Sequence, residues 1–182
     1  MARRRQLLAR VTEQLLDSRA GLTMLRVLGA VLSRVAPYRP VRRELPPELT
    51  ASRVAVKVAT STLPGAGLGL FAAEDIPSNT VIGEFCGDIV PSILKAMRMK
   101  ERRYLARKKG GAYIDSANHP EVMMRYICHH PRSERRNCEL ELPTELERRT
   151  VRTTRAVVAG EELFCDYGSA YWKAVGIEPV GD

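Results

Sequence analysis

Polar and aromatic chemistry is concentrated near the C-terminal end of the chain, in residues 160–172. Gly160 closes a turn after an apolar run, and residues 163–165 have the apolar character of a short buried strand. Tyr167 follows this predicted strand at a place where loops often carry functional side chains. The alternative is a tyrosine that packs in the core with its hydroxyl paired. This stretch alone leaves both interpretations open.

A second candidate is the loop of residues 60–69, which carries Gly65, Gly67 and Gly69 at alternate positions. Glycine has no Cβ, so the backbone there can turn sharply and approach a ligand closely. The loop does not match the dinucleotide fingerprint, because no helix with a following acid opens after it. It also lacks the lysine of a phosphate-binding loop.

The sequence disfavours a metal site. No Cys-x-x-Cys pair occurs, and the adjacent His129 and His130 would point to opposite faces of an extended segment. We expect the cysteines to pack as small hydrophobes in a reducing compartment. They are far apart in the sequence: Cys86, Cys128, Cys138 and Cys165.

Composition indicates one domain with an appendage. The 182 residues are 45% hydrophobic and 27% charged, and no apolar run approaches the roughly 20 residues of a membrane span. The formal net charge is +8, but residues 1–45 alone carry ten arginines and three acids. The basic character therefore belongs to the N-terminal arm.

In this arm, apolar residues at helical spacing predict two short amphipathic helices. A basic amphipathic start is also typical of an organellar transit peptide, and a helical pair packed on the domain is the alternative. Four prolines then make residues 38–49 a stiff linker, so the domain should begin near Ser52.

The elements that must position the candidate residues are mostly short strands bounded by Gly and Pro turns. The exception is residues 91–109, which we predict to be a helix that ends at Gly110 and Gly111. Its eight cations indicate either a surface that binds an anionic partner or a solvated face. The pattern predicts a β-rich α+β domain of several small sheets.

Three stretches now carry a family likeness. "GAGLGLFAAEDIPSNTVIGEFCG", "AYIDSANHPEVMMRYICHHPRSERRNCEL" and "TTRAVVAGEELFCDYGSAYW", in this order, resemble the SET domain of protein-lysine methyltransferases. The resemblance covers residues 54–172 and implies a domain at 52–174, with a short tail at 175–182. It further implies small β-sheets with a C-terminal pseudoknot, a pocket for S-adenosylmethionine on one face and a channel for the substrate lysine on the other.

The resemblance also assigns roles to individual residues. Tyr167 matches the tyrosine beside the methyl group and the lysine nitrogen, and Phe85 and Tyr113 match residues of the lysine channel. Trp172 would be a flat wall for the adenine. The residues that match the rest of the cofactor site are Gly65, Ala66, Gly67, Leu68, Arg125, Tyr126, Cys128 and His129.

Such residues suit the chemistry that the resemblance implies. Methyl transfer from a sulfonium to an amine needs a neutral, dehydrated nitrogen in line with the methyl carbon. A channel with aromatic walls removes water and so lowers the pKa of the lysine amine. Aromatic faces and a phenol oxygen can also hold a cationic methyl group. No acid, metal or covalent nucleophile is required.

The chain departs from the family at several positions. Cys128 stands where the family usually has Asn, and His130-Pro131 replaces Ser-Cys before a longer connection to Asn137. The tail lacks the zinc-binding cysteine cluster of many relatives, so the basic arm, a partner chain or a second copy must cover that side. Phe85 in place of the usual Tyr would favour di- or trimethylation.

Three functions stay open at this point. The first is an active lysine methyltransferase, and the second is a binding or scaffold module that keeps the fold without turnover. The third is a nucleic-acid binder that uses the basic arm and the predicted helix over residues 91–109. A histone-like basic peptide is the expected substrate, in the nucleus or an organelle. The acids that could attract it are Glu139, Glu141, Glu145, Glu147, Glu161 and Glu162.

Overall fold

The computed structural model describes residues 36–141 and 146–175 together with the isolated Thr23. The two helices predicted for the N-terminal arm lie outside the described residues, as do residues 176–182 of the predicted tail. Among the described residues, no helix has the length and apolar character needed to cross a membrane.

Short strands dominate the described chain. Three short α-helices and two 3-10 turns, at Met123–Tyr126 and Ser133–Arg135, interrupt them. In chain order the helices and strands are α1 (Pro47–Thr50), β1 (Val56–Thr60), β2 (Leu68–Ala72), β3 (Val81–Cys86), β4 (Asp88–Val90), α2 (Ile93–Met97), β5 (Leu105–Arg107), β6 (Tyr113–Asp115), β7 (Cys128–His129), β8 (Cys138–Leu140), β9 (Arg148–Thr153), β10 (Phe164–Cys165) and α3 (Ser169–Val175).

The strands form four small sheets. Strands β1 and β2 make an antiparallel pair, and two antiparallel three-stranded sheets have the orders β3-β9-β8 and β4-β6-β5. Strands β7 and β10 pair in parallel, with Phe164 opposite Cys128 and Cys165 opposite His129. This architecture confirms the predicted β-rich α+β fold of several small sheets.

Two groups of buried side chains hold these sheets together. The larger group packs β1, β2, β3, β9 and β10 around the fully buried Leu70, Ile82 and Leu163. The smaller group packs α2 against the β4-β6-β5 sheet through Val90, Leu105 and other apolar residues. Burial of apolar surface is the main favourable contribution to folding, so these two cores fix the sheets that carry the candidate residues.

The predicted helix over residues 91–109 is wrong. Only Ile93–Met97 is helical. The Glu101 carboxylate then accepts the N–H groups of Arg102 and Arg103, at 2.9 and 2.8 Å, which forms a turn. Beyond this turn β5 pairs with β6 in an antiparallel ladder. Long-range strand pairing therefore overrides the local helical pattern.

The cations of this stretch consequently do not form one helical face. Lys95 Nζ lies 5.0 Å from the centroid of the Tyr38 ring. The Arg98 guanidinium donates to the Ala36 carbonyl at 2.7 Å. Part of the positive charge is thus used to attach residues 36–38 to the domain.

The Pro-rich segment before β1 is extended except for α1, and it is attached to the domain by polar contacts. The Arg43 N–H donates to Asp88 Oδ1 at 2.8 Å, and the Arg43 guanidinium pairs with Glu147 at 2.6 Å. The segment predicted to be a stiff linker is therefore packed against the domain at these points.

A buried polar cluster lies beside β6. Asp88 and His119 are both fully buried, and His119 Nε2 is 2.8 Å from Asp88 Oδ1. His119 Nδ1 is 3.0 Å from Glu121 Oε1. Asp115 is 1% exposed, and burial, together with the nearby Asp88, raises its pKa from 3.8 to about 6. Ionised Asp115 is thus disfavoured in the folded protein.

We expect the wild type to lose more stability than the Asp115→Asn variant as the pH rises from 4 to 7. A carboxyl whose pKa is raised on folding binds more protons in the folded state, so its contribution to stability falls as pH rises through this window. The free energy of unfolding of the wild type should fall relative to the variant by about 1–2 kcal/mol. Urea denaturation at both pH values measures this. Identical pH dependence in the two proteins would contradict it, and the exposed Glu139→Gln is the control.

Candidate active site

Tyr167 is fixed at both ends by the segment that contains β7. Its N–H donates to His129 Nδ1 at 3.2 Å, and its hydroxyl donates to the Ile127 carbonyl at 2.7 Å. The parallel pairing of β10 with β7 brings these groups together. Burial raises the pKa of Tyr167 well above its ordinary value of 10.0, so the side chain is a neutral phenol.

Asn137 holds β10 from its other side. The Phe164 N–H donates to Asn137 Oδ1 at 2.8 Å, and the Asn137 N–H donates to the Phe164 carbonyl at 3.0 Å. Asn137 Nδ2 also donates to the Glu162 carbonyl at 2.8 Å. Strand β10 thus lies between β7 and Asn137, which stands at the end of the connection that leaves β7. Sequence reasoning missed this role of Asn137.

A cavity of about 280 Å³ lies on one side of Tyr167. Phe85 and Tyr113 line it as well, so the structure brings together the three residues predicted for the lysine channel. They come from β3, β6 and the segment after β10, which meet here. Burial raises the pKa of Tyr113 to about 12, so this wall is a neutral phenol too. Uncharged aromatic rings therefore form part of the cavity wall.

Helix α3 adds an aromatic residue that the sequence prediction did not include. The Tyr171 ring lies 4.5 Å from the Tyr167 ring, and its hydroxyl donates to the Arg103 carbonyl at 2.9 Å. Tyr171 also lines the cavity. Helix α3 therefore contributes to the cavity wall, and the expectation that the arm, a partner or a second copy covers this side stays a prediction. The i, i+4 rule could not have revealed it, because α3 begins at Ser169 and does not include Tyr167.

Other aromatic rings contact Tyr167 beyond the cavity. The His129 ring is 5.6 Å from the Tyr167 ring, and the Trp172 ring is 4.9 Å from the His129 ring in an edge-on arrangement. Neither His129 nor Trp172 lines the cavity. Burial, and then the charge of Arg136, lowers the pKa of His129. A neutral imidazole can accept the Tyr167 N–H, which agrees with the observed contact.

The glycine loop is open to solvent and held at its base. Gly65 and Gly67 adopt positive φ angles of 76° and 80°, and no atom lies within 4 Å of a Cβ built on either. The Ser61 N–H donates to the Gly67 carbonyl at 2.9 Å. Ala66 and Leu68 are exposed as well. The loop is thus exposed from Gly65 to Leu68, and its role in binding a cofactor stays a prediction.

Glu162 anchors this loop. It is 4% exposed, and its carboxylate accepts from the Ser61 hydroxyl at 2.6 Å and from the Thr62 N–H and hydroxyl at 2.7 and 2.5 Å. A Cβ on Gly69 would overlap Glu162 Oε1, so a side chain there would displace the carboxylate from Ser61 and Thr62. The prediction that Glu162 attracts a basic peptide is therefore wrong, because its carboxylate is buried and fully used.

Cys128 also contacts the loop. Its side chain is buried, with Sγ 3.6 Å from the Leu68 carbonyl. Burial raises the pKa of the thiol, which therefore stays protonated and can donate this weak hydrogen bond. The residue that replaces the family's usual Asn is thus turned toward the base of the loop.

The remaining two predicted cofactor residues lie elsewhere. The Arg125 guanidinium lies over the Tyr104 ring at 4.1 Å and lines the cavity. The Tyr126 hydroxyl donates to the Pro120 carbonyl at 3.1 Å, and its ring packs on the larger core. The structure therefore places Arg125 on the cavity side of Tyr167 and Tyr126 outside the cavity lining.

Comparisons with known proteins agree with this geometry. The SET-domain family model matches residues 67–168, which is more than half of the chain. No curated protein gives a significant match.

Solved structures of Polycomb Repressive Complex 2 from Chaetomium thermophilum are similar. One, a humanized mutant bound to the inhibitor GSK343, is 28% identical with a TM-score of 0.53, over 64% of this chain and 15% of that chain. Another, in an autoinhibited conformation bound to S-adenosylmethionine, is 27% identical with a TM-score of 0.52, over 66% of this chain and 16% of that chain. The likeness thus concerns a small part of those longer chains.

Proposed function

The chain belongs to the SET-domain family, and from this premise we propose that it transfers a methyl group from S-adenosylmethionine to a lysine side chain of a protein. The observation that carries the proposal is the cavity that Phe85, Tyr113 and Tyr167 line together. On the other side of Tyr167 lie the aromatic rings of His129 and Trp172. Tyr167 therefore stands where two binding sites would meet.

The residues beyond Tyr167 fit the cofactor. S-adenosylmethionine, when bound, supplies an electrophilic methyl group on a positively charged sulfur. The open backbone at Gly65 and Gly67 leaves room for close approach, and Glu162 holds the loop in place. The rings of His129 and Trp172 offer faces for an adenine and a cationic sulfur.

The cavity residues prepare the lysine amine. Aromatic walls exclude water, so they disfavour the ammonium and lower its pKa. Arg125 and Arg149 line the same cavity, and their positive charges act in the same direction. The proton leaves the amine for bulk water before transfer. The Tyr167 hydroxyl gives its hydrogen to Ile127, so its oxygen can still accept from the amine or from a polarised methyl group.

Methyl transfer is tested directly with tritiated S-adenosylmethionine, purified histones and a whole-cell lysate. We expect label in protein lysine, and calorimetry should show cofactor binding. The similarity to a Polycomb complex makes a nuclear, chromatin-associated role and a protein-complex partner part of this proposal. If no protein lysine is labelled and no S-adenosylmethionine binds, the proposal that the protein is a methyltransferase is contradicted.

The second candidate is a scaffold module that keeps the fold without turnover. It is favoured by Cys128, whose thiol supports the loop at the Leu68 carbonyl but cannot offer the paired donor and acceptor of an amide. Calorimetry separates the two functions, since the scaffold predicts no heat of binding at high micromolar S-adenosylmethionine.

Phe85→Tyr should shift the products toward monomethyl-lysine. Phe85 is half-buried in the cavity wall, and an added hydroxyl there would narrow the cavity and hydrogen-bond the amine. We expect the ratio of di- and trimethylated to monomethylated product to fall by about tenfold, which is about 1.4 kcal/mol between competing transition states. Mass spectrometry of the methylated peptide measures the ratio. An unchanged product distribution would count against this role.

A further inference from the structure

Several basic side chains line the cavity. Four arginines line it, Arg103, Arg107, Arg125 and Arg149, and within the described residues no Asp or Glu does. The substrate amine is itself positive before it loses its proton. A protonated lysine that enters this cavity is repelled by each guanidinium whose charge no carboxylate offsets.

Arg125 has no carboxylate partner in the part of the chain that the structure describes. Its Nη1 donates to the Ala117 carbonyl at 3.3 Å, while its buried Nε has no hydrogen-bond partner there. The guanidinium lies over the Tyr104 ring at 4.1 Å, which holds it in place without neutralising it. Its charge is thus open to an anionic group that enters the cavity.

Arg149 is held in a similar way, by main-chain carbonyls. Its Nε donates to the Glu141 carbonyl at 2.8 Å, and its Nη2 donates to the Leu140 carbonyl at 3.0 Å. Burial lowers the pKa of Arg149 to about 10, so the cost of burying its charge is not offset by a nearby carboxylate. Arg103, by contrast, is paired with the Glu101 carboxylate at 2.8 Å.

The acids predicted to attract a basic peptide do not offset this charge. Glu145 lies outside the described residues, and the exposed Glu139 does not line the cavity. Three others do not line it either. Each of them is paired with an arginine: Glu141 with Arg152, Glu147 with Arg43 and Glu161 with Arg155. None of these described acids therefore lies in the cavity lining, so they do not attract a peptide rich in lysine and arginine into it.

We propose that the cavity selects a lysine that is flanked by aspartate or glutamate in the substrate protein. This rests on the proposed function and specifies its substrate class. Carboxylates beside the lysine complement the guanidiniums, and Arg groups recognise carboxylates through paired hydrogen bonds. The aromatic walls receive the alkyl part of the lysine, while the arginines orient the peptide that carries it.

The test uses the full chain and three peptides of equal length, each with one central lysine flanked on both sides by Glu, Gln or Arg. Binding is measured by fluorescence anisotropy with S-adenosylhomocysteine present, and methyl transfer with tritiated S-adenosylmethionine. We expect kcat/KM and affinity to be at least about tenfold higher for the Glu peptide than for the Arg peptide. The difference should shrink as salt rises.

Arg125→Gln should reduce the preference for the Glu peptide, whereas Arg152→Gln, which changes a cation outside the cavity lining, should leave it unchanged. Equal binding of all three peptides, or tighter binding of the Arg peptide, would overturn the inference. If methyl transfer is still observed in that case, the proposed function stands. Selective binding of the Glu peptide without any transfer would instead support the inference and contradict turnover.

Discussion

Tyr167→Phe should reduce kcat by at least about 100-fold, which corresponds to roughly 2.7 kcal/mol of transition-state stabilisation. The hydroxyl fixes the ring to the Ile127 carbonyl at 2.7 Å and places an oxygen at the end of the cavity. Phenylalanine keeps the ring contacts with His129, Tyr171 and Trp172. Cofactor affinity should therefore change by no more than about twofold.

Single-turnover kinetics and calorimetry separate these two quantities. Tyr38→Phe is the matched control, because Tyr38 packs on the smaller core and is not part of the cavity lining. Urea denaturation shows whether either variant has lost stability. If the Tyr167→Phe variant is folded and its kcat stays within about threefold of the wild type, the Tyr167 hydroxyl does not take part in the reaction.

Glu162→Gln should lower the free energy of unfolding by about 3 kcal/mol and weaken cofactor binding. The carboxylate accepts three hydrogen bonds from Ser61 and Thr62 in a buried site. An amide replaces one acceptor with a donor and removes the negative charge, so the buried hydrogen bonds from Ser61 and Thr62 lose their charge assistance. The glycine loop then loses its anchor, so a ligand that contacts Gly65 and Gly67 must order the loop as it binds.

The neighbouring Glu161→Gln provides the control for this prediction. Glu161 is more exposed and pairs with Arg155 at the surface, an ion pair worth about 1 kcal/mol or less. Urea denaturation and calorimetry with S-adenosylmethionine measure both effects. Equal stability and equal cofactor affinity for the two variants would show that Glu162 does not anchor the loop.

The fold class and much of the candidate site could be predicted because they depend on local patterns and ordered motifs. The Gly and Pro turns marked the short strands, such as Val81–Cys86. The motifs around Phe85, Tyr113 and Tyr167 indicated residues that the fold does bring to one cavity. Such features are encoded by residue types at short spacing, so they are visible without the structure.

Other features depend on contacts between distant parts of the chain. Glu162 anchors a loop about 100 residues away, and nothing in the residues around it distinguishes it from the surface acid Glu161. The 91–109 stretch has a helical pattern, but pairing between β5 and β6 decides its structure. Likewise, only the assembled cavity shows that Arg125 and Arg149 meet no carboxylate among the described residues.

The central claim is that a cofactor and a lysine meet at Tyr167 from opposite sides. A crystal structure with S-adenosylhomocysteine and a lysine peptide tests it most directly. We expect the lysine side chain between Phe85, Tyr113 and Tyr167, and the cofactor against the loop at Gly65 and Gly67. A lysine bound elsewhere, or a cofactor that does not contact this loop at saturating concentration, would contradict the claim.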